Sequence, residues 1–129
     1  MSNNISITPF VPLNGSAGNE VVTTLVRPQI AVPIAAGVGV VDWSQGDNQT
    51  AALAASTTVS FIGAQAGQTL TLRVTAGGAY TIAFPAAMLF VGGSQATQTS
   101  GGVDIWEIKC LLVGSTLTYY GSVSQAFAT

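Results

Sequence analysis

The side chains able to do acid–base, nucleophilic or metal chemistry are few enough to name. They are Glu20, Asp42, Asp47, Asp104 and Glu107, then Arg27, Arg73 and Lys109, and one thiol, Cys110; there is no His. General acid–base and covalent catalysis need such groups close together, with pKa values tuned by their neighbours. Asp104 and Glu107 are the closest acidic pair among the expected strands. Their spacing puts them on opposite faces of a regular strand, which suits a surface or interchain ion pair better than a catalytic couple. Lys109 shares the face of Glu107, so those two are a candidate exposed pair, worth about 0–1 kcal/mol. No catalytic residue is assigned, and the expectation is a protein that is not an enzyme.

Metal and cofactor chemistry fare no better. Asp42 and Asp47 flank Trp43 and Gly46, but the Asp-x-Asp-x-Asp-Gly loop of a calcium site is absent. Turn capping is the reading for both. Gly37-Val38-Gly39 lacks the remaining glycine and the helix of a dinucleotide fingerprint. Cys110 stands alone in the apolar run Ile108–Leu112, which reads as a buried structural thiol. No metal and no cofactor is expected. Trp43, Trp106, Tyr119 and Tyr120 are the residues from which a carbohydrate-stacking platform would be built. Trp106 and the tyrosines read as core or interface. Trp43, beside Asp42, reads as the exposed aromatic contact.

Composition sets the frame. Charged residues make up 6% of the 129-residue chain and the formal net charge is −2, against about 25% charged residues in ordinary globular domains. Three scattered cations make no track for nucleic acid. Mixed surface charge is what keeps a free monomer soluble, and a surface this neutral points to burial in an oligomer, against a larger assembly or in a membrane. The stretch between Arg73 and Asp104 is uncharged, but Gly77-Gly78, Pro85 and Gly92-Gly93 interrupt it. It is not a run of about 20 apolar residues, so no membrane partner is expected. The first residues lack the basic and apolar regions of a signal peptide.

The elements are β throughout. Residues 1–18 read as an extended arm, punctuated by Pro9 and Pro12. Such an arm is either a solvated tail or a strap docked on a neighbour by β-augmentation. Ile5, Ile7, Phe10, Val11 and Leu13 favour the strap, being too apolar for a simple tail. Residues 19–129 form a single β domain, with strands expected at 20–26 and 38–43. Asn48–Ser56, rich in Ala, admits a helical turn, a strand or a loop. Thr57–Ile62 and Thr69–Thr75 alternate polar and apolar residues, the signature of half-buried strands. Gly77-Gly78 reads as a hairpin turn leading to Tyr80, Ile82 and Phe84. Val103–Val113 changes phase, which suggests a bulge or a strand buried on both faces. The fold class is all-β: an antiparallel sandwich or barrel, jelly-roll-like, with an extended N-terminal arm.

Residues 57–121, the best-defined module, resemble a β module of bacteriophage tail, fibre and other virion proteins. The resemblance rests on order: Val59-Ser60-Phe61; Gly67-Gln68-Thr69-Leu70-Thr71-Leu72; a glycine turn; Tyr80–Pro85; Gly92-Gly93; Val103–Ile108; and Gly114 before Tyr119-Tyr120-Gly121. That module usually closes a much longer fibre chain. Here it stands almost alone, which resembles the small capsid decoration proteins, often trimers, that reinforce phage heads. The resemblance implies a capsid decoration or cement protein, made in the host cytoplasm and placed on the capsid surface. It would be a homotrimer partnered with the major capsid protein. The alternative it leaves open is a tail, baseplate or fibre component, partnered with other tail proteins and binding host glycans. A small glycan hydrolase or lyase, with an active site shared between subunits, is the reading from a third class.

Overall fold

The computed structural model describes residues 29–128. The arm, with Ile5, Ile7, Phe10, Val11 and Leu13, and the strand expected at 20–26 lie outside these residues. Ten strands follow in order: β1 (Ile30–Ala31), β2 (Ile34–Ala35), β3 (Val38–Asp42), β4 (Asn48–Leu53), β5 (Thr57–Ile62), β6 (Thr69–Ala76), β7 (Ile82–Ala83), β8 (Met88–Phe90), β9 (Val103–Val113) and β10 (Thr116–Phe127). They form a six-stranded sheet, β1-β4-β6-β9-β10-β8, and a four-stranded sheet, β2-β3-β5-β7. The two sheets pack on each other as an all-β sandwich, the class the alternation predicts.

Strand direction differs from expectation. β1/β4, β4/β6, β3/β5, β5/β7 and β8/β10 pair in parallel, while β2/β3, β6/β9 and β9/β10 are antiparallel. The reason lies in the connections. From β3 to β8 each successive strand enters the opposite sheet, so strands that meet within a sheet are two steps apart in sequence and run the same way. This is the winding logic of a two-layer solenoid coil, closed by the long β9–β10 hairpin. Gly77-Gly78 is accordingly a sheet-to-sheet crossing, because Ile82 and Ala83 pair with β5 and not with β6. The Gly77 N–H donates to the Leu53 carbonyl and so ties the crossing to the end of β4. Asn48–Leu53 is a strand: Gln49, Ala51 and Leu53 point inward, in register with Leu72, Val74 and Ala76.

The core lies between the sheets. Leu70, Leu72, Val74, Ile108, Cys110 and Val41 are fully buried, and each such aliphatic contributes about 1.5–3 kcal/mol of transfer free energy. Rings bridge the layers. Phe61 of β5 lies 4.8 Å from Tyr119 of β10, and Phe84 lies 4.7 Å from Trp106 of β9, both edge-to-face. Gly121 makes room for this packing. A Cβ there would stand 2.2 Å from Met88 Cε.

Candidate interaction surface

The structure disperses the titratable groups. Asp42 caps the 3-10 turn Trp43–Gln45: its Oδ1 accepts from Ser44 N–H at 3.0 Å and from Ser44 Oγ at 2.6 Å. The Ser44 hydroxyl first, then its N–H, hold the carboxyl below its ordinary range. Asp47 lies 3.5 Å from Gln68 Nε2. Among the described residues, no three His, Cys, Asp or Glu side chains gather as a metal site would require. Glu107 and Lys109 share the exposed outer face of β9.

Asp104 overturns its reading as a surface ion-pair partner, for it is fully buried. Its Oδ2 accepts from Thr99 N–H at 2.8 Å and Gln125 Nε2 at 3.1 Å, and its Oδ1 from Ala126 N–H at 3.0 Å. Burial pushes this carboxyl up, but the hydrogen bonds from Thr99, Ala126 and Gln125 outweigh it, and the net direction is downward. The carboxylate is a structural pin. It fastens the 94–102 loop to the end of β10 at the irregularity between Ser124 and Phe127, where Ala126 takes a left-handed φ of 64°. The signal was in the sequence: Asp104 shares the inward phase of Trp106, Ile108 and Cys110. Cys110 is fully buried, and burial pushes its thiol pKa up.

The aromatic platform does not assemble on the surface. Trp43, expected to be exposed, is 1% exposed. It continues the inward phase of Gly39 and Val41, and its ring centroid lies 5.5 Å from both Phe61 and Tyr119. The neighbouring carboxylate that suggested exposure occupies the opposite phase. Trp106 is buried and Tyr119 half-buried; burial, then the neighbouring Cys110, raise the Tyr119 phenol pKa. Tyr120 alone reaches the surface, at 38% exposure.

The chemistry the surface does offer is apolar. On the outer face of the six-stranded sheet, Tyr120 stands beside Leu89 of the edge strand β8. With Phe90, Val91, Glu107, Lys109 and Ser122 they line a cavity of about 290 Å³. Leu89 and Val91 are exposed, as are Leu111, Leu112 and Val113 at the projecting tip of the β9–β10 hairpin. The phase change in Val103–Val113 suggests a bulge or a strand buried on both faces; the tip is exposed because the strand runs past Lys109, where its pairing with β6 ends. A separate polar cleft of about 320 Å³ is lined by Ser44, Gly46, Asp47, Gln65 and Gln68 around the capped turn. Comparison of the chain with protein-family models, curated proteins and solved structures finds no match.

Proposed function

We propose that this chain is a non-enzymatic phage virion structural protein, a capsid decoration or cement protein that acts as a homotrimer on the major capsid protein. The observation that carries the reading is the pairing of a well-packed sandwich with an apolar, nearly uncharged outer edge. Leu89, Val91, Tyr120 and the Leu111–Val113 tip are displayed to solvent in a chain with 6% charged residues. Exposed apolar groups concentrated at one region mark protein contact sites. A protein that binds only the assembled shell stabilises it by mass action. The 57–121 resemblance supplies the virion setting.

The test is the copy number of this polypeptide in purified virions, measured by quantitative mass spectrometry against the major capsid protein. Hundreds of copies are expected. Complete absence overturns the reading. The polar Ser44–Gln68 cleft favours one second reading, a tail or fibre component that binds host glycans through amide and carboxylate hydrogen bonds. A few to a few dozen copies per virion would select it.

A further inference from the structure

We infer that the tip of the β9–β10 hairpin of one copy docks in the outer cavity beside β8 of the next, a head-to-tail contact between copies of this chain. Both halves of the contact lie within the described residues. The pairing of β6 with β9 ends at Lys109, and that of β8 with β10 spans only Tyr119–Gly121. Past these points the hairpin runs on as a two-stranded tongue, with Leu112 paired to Leu117 and Val113 to Thr116. Leu111, Leu112 and Val113 are 43%, 55% and 54% exposed, and Gly114 and Ser115 turn the chain without a charge. A lone two-stranded ribbon is marginal in water, so a tongue with an apolar tip gains from a partner that covers it.

The cavity has the complementary character. It measures about 290 Å³ and is walled by Leu89, Val91 and Tyr120. That is near the ~300 Å³ at which ligand pockets begin, so it has room for two aliphatic side chains. Glu107 and Lys109 also line it. Among the described residues neither of them holds an ion pair or a hydrogen bond. The tip brings the hydroxyls of Ser115 and Thr116, with which both can hydrogen-bond, and no charge that would repel either.

The ladder forbids the contact within one copy and so selects a second. Tip and cavity belong to the same hairpin, whose antiparallel pairing runs unbroken from Val113 and Thr116 to Ile105 and Ser124. Leu117, opposite Leu112 of the tip, is three residues from Tyr120 of the cavity, about 10 Å along the strand. Pairing holds that separation. An apolar projection and an apolar pocket at different places on one molecule make a heterologous contact, which closes into a ring when the rotation permits. A homotrimer is such a ring. The inference rests on the self-associating part of the proposed function and names its contact.

The test is the mass of the full-length protein by sedimentation equilibrium. Leu112→Asp charges the tip, Val91→Asp charges the cavity wall, and Ile62→Asp, on the outer face of the other sheet, is the control; all three positions are exposed. Leu112→Asp and Val91→Asp should each lower the assembled mass about threefold, to that of one chain, while Ile62→Asp leaves it unchanged. An equimolar mixture of the first two should regain a 1:1 dimer. The intact tip of the Val91→Asp copy fits the intact cavity of the Leu112→Asp copy, and no further contact can form. Near-UV circular dichroism checks the fold, and Leu112→Ser replaces Leu112→Asp if that protein is misfolded. A wild-type chain that is monomeric, an unchanged mass for either variant, or a mixture that stays monomeric overturns the inference. So does an equal loss of mass in the Ile62→Asp control. An unchanged mass for Val91→Asp is also the result expected if residues of the same copy fill the cavity. Virion copy number reads the proposed function independently, so failure of one is distinguishable from failure of the other.

Discussion

Asp104 is where one side chain carries the most consequence. Truncation by Asp104→Ala leaves two backbone donors, Thr99 N–H and Ala126 N–H, without their 2.8 and 3.0 Å acceptors. Gln125 keeps the Thr97 carbonyl as an alternative acceptor. Each stranded buried donor costs about 1–3 kcal/mol. The site lies beneath the exposed Gln125 and Ala126, so water relieves part of this, and the expected loss is about 2–4 kcal/mol. For a domain of this size each kcal/mol moves Tm by about 4–8 °C. Asp104→Asn keeps one oxygen acceptor and should fall between the two. The pH dependence has a definite sign. The folded carboxyl titrates below its ordinary value, so its stabilisation is fully present above the unfolded value of about 3.9 and is lost as pH falls through the folded value. Urea unfolding of the three proteins between pH 7 and pH 3 should show wild type above Asp104→Asn above Asp104→Ala at neutral pH. The gap between wild type and Asp104→Asn should begin to narrow below about pH 4 and shrink further as pH falls toward the folded value. A loss under about 1 kcal/mol for Asp104→Ala, or a gap constant across that range, refutes the pin.

Three further outcomes are expected. Trp43→Ala removes a buried ring packed on Phe61 and Tyr119 and should cost about 3–5 kcal/mol, measured by chemical denaturation; a cost under about 1 kcal/mol would mean the ring is not in the core. Gly63→Ala puts a Cβ 2.7 Å from Asp42 Oδ1 in a backbone at φ 71°, so it should lower Tm and release the Ser44 cap, read as a downfield-to-random shift of the Ser44 amide resonance. Deleting residues 1–18 should weaken attachment to the shell in a virion-binding assay while leaving the near-UV circular dichroism of the β domain unchanged; unchanged attachment removes the strap from the account.

The sequence showed the faces of the strands and hid their partners. Thr57–Ile62 and Thr69–Ala76 alternate, and the buried residues are the ones the alternation names: Val59, then Leu70, Leu72 and Val74. Direction was illegible because period two reports which side faces the core and nothing about the neighbour. A glycine crossing such as Gly77-Gly78 has the same local chemistry whether the chain returns to its own sheet or passes to the other. Asn48–Leu53 was ambiguous because Ala is permissive; pairing with β1 and β6 on either side decides it. Trp43 and Asp104 were misplaced for a shared reason. Local polarity suggests exposure at both, but a capped turn and a hydrogen-bonded carboxylate let the inward phase prevail. The candidate interaction surface was legible only as a deficit of charge; its position needed the structure, because Leu111–Val113 and Leu89 look like core residues until the sheet ends beside them.

Among the described residues, the sheet edges are the feature that best supports the proposed assembly. A sheet edge is a template for pairing, and independent proteins blunt it with short strands, lysine, proline or cover. Three edges here are blunted by length: β1, β2 and β7 have two residues each. The fourth is different. β10 runs for twelve residues, and β8 covers three of them. Along the remainder, Ser122 faces Glu107 on the adjacent strand, and the buried Asp104 carboxylate accepts from Gln125 and Ala126. The hairpin tip adds Leu111, Leu112 and Val113 with no charge of its own. Among the described residues nothing pairs with this part of the edge, and contact with copies of itself or a shell, as proposed, would bury it. On the proposed function, the low charge and the β10 edge left unpaired among the described residues are one property seen at two levels, composition and topology.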